Sequence, residues 1–337
     1  MPTLLADLTT LRLGGPAARA VVAASREDLV DAIRGADAAG EPVLILGGGS
    51  NLVVGDDGWP GVVVQVRTRG SELTSDGDRV VITAQAGEPW DELVAATVRD
   101  GLSGLEAMSG IPGFVGATPI QNVGAYGSEV ADVITGLSVL DRADGSVAHW
   151  DPARCGFGFR TSAFKHTDRY VVLGVTVELE RAELSRPIRY LELARRLGVE
   201  TGEPAPLREV REVVLELRRS KGMLLDPADH DTWSVGSFFV NPFVAPELVP
   251  DGCPNWTVDG QIKLSAAWLI ENAGYAKGYS GGRARVAVSG KHTLALTNRG
   301  GATTAELLDL AAEIRAGVQE RFGIRLRPEA HLAGVEF

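Results

Sequence analysis

The stretch that most constrains this chain runs from Gly104 to Gly127, G-L-E-A-M-S-G-I-P-G-F-V-G-A-T-P-I-Q-N-V-G-A-Y-G. Its six glycines and two prolines allow neither a helix nor a strand to run through, and its one charged side chain is Glu106. Each glycine costs about 1 kcal/mol of backbone entropy in a regular element, a cost a chain accepts where main-chain groups approach something closely. Ser109, Thr118, Gln121 and Asn122 add neutral hydrogen-bonding groups. Alone, such a stretch is either a convoluted buried loop or a backbone surface for a large, hydrogen-bonded cofactor.

The chain is long enough to require two or three domains, at ~150 residues each. Of its 337 residues, 45% are hydrophobic and 23% charged, which gives a globular protein with real cores. A formal charge of −11 argues against nucleic-acid binding. Small anionic ligands stay open, since a few local cations suffice. Cys155 and Cys253 are isolated and suit a reducing compartment. Met1–Thr10 lacks a basic signal region, and no apolar run nears the ~20 residues of a membrane span, so a cytoplasmic location is expected.

Periodicity predicts helices at Ser25–Gly40, with a Ser25/Asp28 start, and at Glu88–Gly101, with Pro89 in its first turn. Further helices are predicted over Leu207–Ser220, Leu264–Gly274 and Thr303–Gly323. Strands are predicted at Val43–Leu46, Leu52–Val54, Val62–Val66, Val80–Thr83, Ile134–Leu140 and Val171–Leu179, and as a pair at Arg283–Val288 and Thr293–Thr297. Without a regular strand–helix alternation the class is α+β. Thr201–Pro206, with two prolines and a glycine, is expected to be a flexible connection before a second unit.

Several motifs fail on context. Gly47-Gly48-Gly49 follows a strand, but Leu52 breaks the dinucleotide fingerprint and no helix opens there. Gly278-Tyr279-Ser280-Gly281-Gly282 matches G-x-S-x-G, yet a helix precedes it and a strand follows, the reverse of a nucleophile elbow. The five histidines (149, 166, 230, 292, 331) lack metal-ligand spacing, so no metal is expected. Two glycine loops remain in one α+β region. A backbone cradle of that extent suits a diphosphate-containing cofactor as long as FAD.

With these residues in hand, the chain resembles the UDP-N-acetylenolpyruvoylglucosamine reductases, flavoenzymes of bacterial cell-wall synthesis. The resemblance rests on G-G-G-S-N-L (47–52), S-G-I-P-G-F-V-G-A-T-P-I-Q-N-V-G-A-Y-G (109–127), F-G-F-R-T-S-A-F-K (157–165), G-S-F-F-V-N-P (236–242) and L-R-P-E (326–329). It implies a two-subdomain FAD-binding domain of the vanillyl-alcohol-oxidase type and a smaller C-terminal α/β substrate domain. The implied boundaries are 1–66, joined by a C-terminal strand near 326–337, then 67–206, then 207–325 for the substrate domain. Gly47, Gly48, Gly49, Ser50, Asn51, Ile111, Pro112, Gly113, Ala117, Thr118, Ile120, Gly124, Ala125 and Tyr126 would hold FAD.

The resemblance further implies a ping-pong reaction: NADPH reduces FAD, and the enolpyruvyl sugar nucleotide then takes hydride to become UDP-N-acetylmuramate. Arg160 would bind and stabilise the substrate carboxylate, Ser237 would act as general acid and Glu329 would assist. Lys221, Arg218, Asn241 and Tyr190 would contact substrate, Tyr190 marking the subtype whose inserted loop closes over the sugar nucleotide. Val240 stands where many relatives carry lysine, which puts a direct ionic role at that position in doubt. No His precedes His149 and no Cys precedes Cys155, so covalent flavin attachment at the N-terminal loops is not expected. The implied partners are small molecules only, with no nucleic acid, membrane insertion or obligate protein partner. A flavin oxidase of the same fold, and a non-catalytic FAD or sugar-nucleotide binding protein, are the competing readings.

Overall fold

The structure, a computed structural model, describes residues 2–258 and 260–337. The chain divides into two compact units, each assembled from separated segments. Met1–Ala18, Gly49–Pro60 and Ser220–Phe337 form one; Arg19–Gly48 and Gly61–Arg219 form the other. The helices are α1 (Arg26–Ala38), α2 (Trp90–Arg99), α3 (Pro152–Cys155), α4 (Leu191–Leu197), α5 (Leu207–Ser220), α6 (Ala266–Asn272) and α7 (Thr304–Phe322). Among the described residues, no helix is long and apolar enough to cross a membrane.

The 19–219 unit is built on an antiparallel sheet with strand order Val147–Trp150, Ile134–Asp141, Tyr170–Arg181, Arg79–Gln85, Ser71–Asp76. Alternation buries Val80, Ile82 and Ala84 beneath Trp90, Val94 and Val98 of α2. On the long strand, Val175, Val177 and Leu179 join that core, whereas Val171 and Leu173 pack with Leu29 and Ile33 of α1. The switch falls at a register shift between Ser138 and Val139, where one extra residue exchanges the two faces. A smaller sheet sets Val43–Leu46 parallel to Trp59–Val66, and α1 carries the full Ser25/Asp28 capping box. A further cluster gathers Leu193 and Ala194 of α4 with Val210, Val214 and Leu217 of α5.

In the other unit, Leu269 and Ile270 of α6 and Leu310, Ile314 and Val318 of α7 pack with Leu11, Leu13, Val53, Phe238 and Phe239. Leu52–Val54 pairs in parallel with His331–Ala333, and Val286–Val288 pairs antiparallel with Leu296–Asn298.

Four local expectations change. Helix α6 begins at Ala266, because Leu264 completes a strand and the Ser265 hydroxyl accepts the Trp268 amide as a cap. Helix α2 begins at Trp90, with Pro89 as its cap position. Ser71–Asp76 is an edge strand whose exposed S-E-L-T-S-D carries no apolar alternation to announce it. Finally, Thr201–Pro206 is tied down at its end: Ala205 is buried and exchanges hydrogen bonds with Ser185 in both directions.

Candidate active site

In the 19–219 unit the two glycine loops meet. A Cβ placed on Gly48 would lie 2.7 Å from Gly113 Cα, closer than real side chains come. Gly110 and Gly113 take φ of +71° and +108°, conformations that side chains other than glycine's rarely adopt. The long loop is fixed through its backbone, with Gly116 donating to Ala86, Val115 to Glu88, and Trp90 to the Gly113 carbonyl. Pro112, Ala117 and Ile120 are exposed, and Ile111, Gly113, Gly124, Ala125 and Tyr126 are half-buried. Thr118 is buried and its hydroxyl donates to the Val115 carbonyl, so this candidate cofactor contact also serves its own turn.

The 157–165 motif is stitched to the same loop. Arg160 Nη2 donates to the Gly124 carbonyl at 3.0 Å, the Ser162 hydroxyl to the Ile120 carbonyl at 2.6 Å, and Lys165 Nζ to Gln121 Oε1 at 3.3 Å. Asn122 reaches the Gly158 carbonyl through Nδ2. Asn122, Tyr126 and Arg160 all hold positive φ, between 45° and 53°. Such left-handed backbone costs about 1–3 kcal/mol per residue away from glycine and concentrates where side chains must be aimed.

Tyr126 and Tyr190 stack edge to face with centroids 5.4 Å apart. Burial pushes the Tyr126 phenol up to about 12, against the opposing pull of Arg218. Arg218 is only 8% exposed, and burial lowers its pKa while Tyr126 and Asp91 work to raise it. Asp91 accepts a fork from Arg211 at 2.7 and 2.9 Å together with the Gly110 amide. Burial works to raise the Asp91 pKa, but these bonds and the charges of Arg211 and Arg218 hold it below the ordinary value.

The other unit gathers the remaining candidates. Ser237 and Glu329 lie on neighbouring segments: the Glu329 amide donates to the Phe238 carbonyl at 2.8 Å, and Val240 donates to Arg327. Phe238 and Phe239 anchor the S-F-F segment in the core, ring against ring at 5.0 Å. Asn241 Oδ1 accepts the Ala266 amide at the start of α6. Lys221 has company that sequence reasoning missed. Burial first, then the charges of Lys221 and Lys277, lower the His292 pKa to about 4, leaving a neutral imidazole beside two cations. No spacing along the chain joins these three residues. Gly49, Ser50 and Asn51 fall in this unit too; the Gly49 carbonyl accepts the Thr10 amide and the Asn51 carbonyl the His331 amide.

Residues 17–151 match the family model described as "FAD binding domain", and residues 226–333 match "UDP-N-acetylenolpyruvoylglucosamine reductase, C-terminal domain". The chain is 54% identical to the UDP-N-acetylenolpyruvoylglucosamine reductase of Thermobifida fusca, covering 98% of this chain and 97% of that protein. Its likeness to the enzyme of that name from Salinispora arenicola is also 54%, over 96% and 93% of the two chains.

The chain belongs to the UDP-N-acetylenolpyruvoylglucosamine reductase family.

Among solved structures, the reductase of Thermus caldophilus superposes with a TM-score of 0.68 at 28% identity, covering 99% of this chain and 98% of that one. The protein is thus an FAD-dependent oxidoreductase of α+β architecture, with an FAD-binding domain and the family's C-terminal domain. The residues fit that cofactor: Gly48 packs backbone to backbone on Gly113, and from Ile111 to Tyr126 the long loop carries no charged side chain, as suits a ligand held by main-chain donors.

Proposed function

We propose that the protein reduces UDP-N-acetylglucosamine enolpyruvate to UDP-N-acetylmuramate for peptidoglycan synthesis, a step tied to cell shape and division, with NADPH as hydride donor and a ping-pong order. Gly47–Asn51 and the Ile111–Tyr126 loop would hold FAD noncovalently, and the cofactor would supply hydride transfer from NADPH, through N5, to C3 of the enolpyruvyl group. Arg160 binds the conjugated carboxylate, on which charge builds as hydride arrives, and a planar guanidinium matches it in a fork. Withdrawing one such donor typically costs about 10²–10³ in rate. Ser237 gives the proton to C2, and Glu329 assists charge stabilisation and protonation at the same carbon. Lys221, with Lys277 and His292, holds the diphosphate; Arg218, Asn241 and Tyr190 orient the sugar nucleotide. The cytoplasm, where both small-molecule substrates are made, is the proposed location.

The observation that carries this reading is the pairing of the G-S-F-F and L-R-P-E segments, which brings an alcohol and a carboxylate from distant parts of the sequence onto adjacent backbone. Neither a flavin oxidase nor a passive binding protein needs that pair. The test is anaerobic. NADPH should bleach the yellow protein, and UDP-N-acetylglucosamine enolpyruvate should restore the oxidised flavin spectrum; flavin that stays reduced sinks the proposal. In Ser237→Ala, NADPH should still bleach the flavin at nearly the original rate, while reoxidation by substrate slows about 10²–10⁴-fold. Equal loss in both halves would assign Ser237 to binding or folding.

A further inference from the structure

The 19–219 unit holds a cation that the proposed chemistry does not use. Arg67 follows the Trp59–Val66 strand and is partly buried at the place where the two glycine loops meet. Its Nη1 donates to the Gly47 carbonyl at 3.1 Å and to the Val66 carbonyl at 2.9 Å, and Nη2 reaches Gln65 Oε1 at 3.4 Å. Its guanidinium carbon stands 5.0 Å from the centre of the Phe114 ring, in the long loop. Among the described residues its hydrogen-bond partners are neutral oxygens, and the charge that bears on it is that of Arg69, which is itself paired with Glu88 at 3.5 Å. A partly desolvated cation bonded only to neutral oxygens lowers its energy when an anion joins the site.

The Gly47–Gly48 peptide shows where that anion would lie. Among the described residues no peptide bond is cis, and in a trans peptide the carbonyl and the following N–H point to opposite sides of the chain. Fixing the Gly47 carbonyl against Arg67 therefore turns the Gly48 N–H away from Arg67. A cation bonded to the carbonyl also draws electron density from the amide and strengthens the N–H as a donor. Gly48 packs on Gly113, so this amide belongs to the surface where both loops present backbone.

We propose that Arg67 is a positioning residue for the cofactor diphosphate: it aims and polarises the Gly48 amide, and its positive charge offsets the phosphates through that peptide. This rests on the reading of the glycine loops as the FAD cradle. The contact with Phe114 lets the same guanidinium fix both loops, so the cofactor's diphosphate end and the loop junction share one support.

The test compares two flavins that differ in phosphate. Full-length wild type, Arg67→Lys and Arg67→Met are stripped of flavin and titrated with FAD and with riboflavin, which has the same ring and no phosphate, following flavin fluorescence. A charge-assisted contact predicts FAD affinity lower by about ten- to a hundredfold in Arg67→Met. Riboflavin affinity should change less than about twofold, because it lacks the group on which the argument rests. Arg67→Lys should fall between, keeping charge but losing the planar reach to Gly47. Equal weakening for both flavins, or unchanged FAD affinity, overturns the proposal. Should Arg67→Met not fold, Arg67→Lys gives the same comparison, with selective loss of FAD supporting it and parity overturning it. Wild type that binds neither flavin would instead overturn the FAD cradle itself.

Discussion

At Gly48 a single carbon atom decides whether two loops can touch. Its φ lies outside the left-handed region, so alanine there is free of backbone strain, and the 2.7 Å approach to Gly113 Cα is the sole obstacle. Gly48→Ala is therefore expected to separate the loops at a cost of about 1–3 kcal/mol. Fluorescence titration should show FAD affinity falling at least tenfold, and calorimetry a modest fall in Tm. Gly40→Ala, at a glycine with φ +66° and nothing within 4 Å, should leave FAD affinity unchanged. In the sequence these two glycines look alike. The loop's glycine content is legible as a demand for backbone access, but which glycine answers to φ and which to crowding depends on the partner strand of chain. Arg160 stands in a motif visible along the chain, whereas its left-handed backbone is not legible there, because arginine carries no preference for it. His292 and Lys277 escape for a related reason: their association with Lys221 is electrostatic and three-dimensional, with no period along the chain.

Among the elements, α5 shows where amphipathic reading stops. Val210, Val214 and Leu217 declare an apolar face, and the structure does bury them, with Ile188, Leu193 and Ala205 as partners. Nothing on the helix itself names those partners. Its polar side is also committed, through the Arg211 fork to Asp91 of α2, and Asp91 in turn takes the Gly110 amide of the long loop. Since the folded-state pKa of Asp91 is depressed, its contribution is complete above the ordinary value of 3.8 and disappears as pH falls through the lowered folded value. Arg211→Met should thus cost about 1 kcal/mol near neutral pH, discounted for the pair's solvent exposure. That difference should shrink below pH 3.8, measured by denaturant unfolding of both proteins across an acid series. A difference independent of pH would mean that the arginine stem, not the ion pair, supplies the stability. Capped helices such as α1 and α7 are legible almost to the residue because Ser25/Asp28 and Thr303/Glu306 are local signals. The Ser71–Asp76 strand is not, since an exposed edge needs no apolar alternation.

For the whole molecule, the segmented build of each unit limits what can stand alone. Residues 226–333 match a family domain, yet the core they contribute to includes Leu11, Leu13 and Val53. The Asp56 carboxylate accepts the Thr304 and Ala305 amides at the start of α7, and Asn298 donates to the Leu11 and Arg12 carbonyls. Three buried aliphatic side chains are worth about 1.5–3 kcal/mol each, a sum comparable with the 5–15 kcal/mol by which a domain is stable. A 226–333 fragment is therefore expected to lack fixed tertiary structure by near-UV circular dichroism, and adding 1–18 and 49–60 through short linkers should restore it. The parallel pairing of Leu52–Val54 with His331–Ala333 has a further consequence, in time. A ribosome releases Leu52–Val54 long before it makes the partner strand, so this early segment must wait unpaired while the chain around it grows. Arg19–Gly48 and Gly61–Arg219 can settle meanwhile, since both parts of that unit are already made. The order of synthesis thus favours completing that unit first and closing the other only when the strand His331–Ala333 emerges.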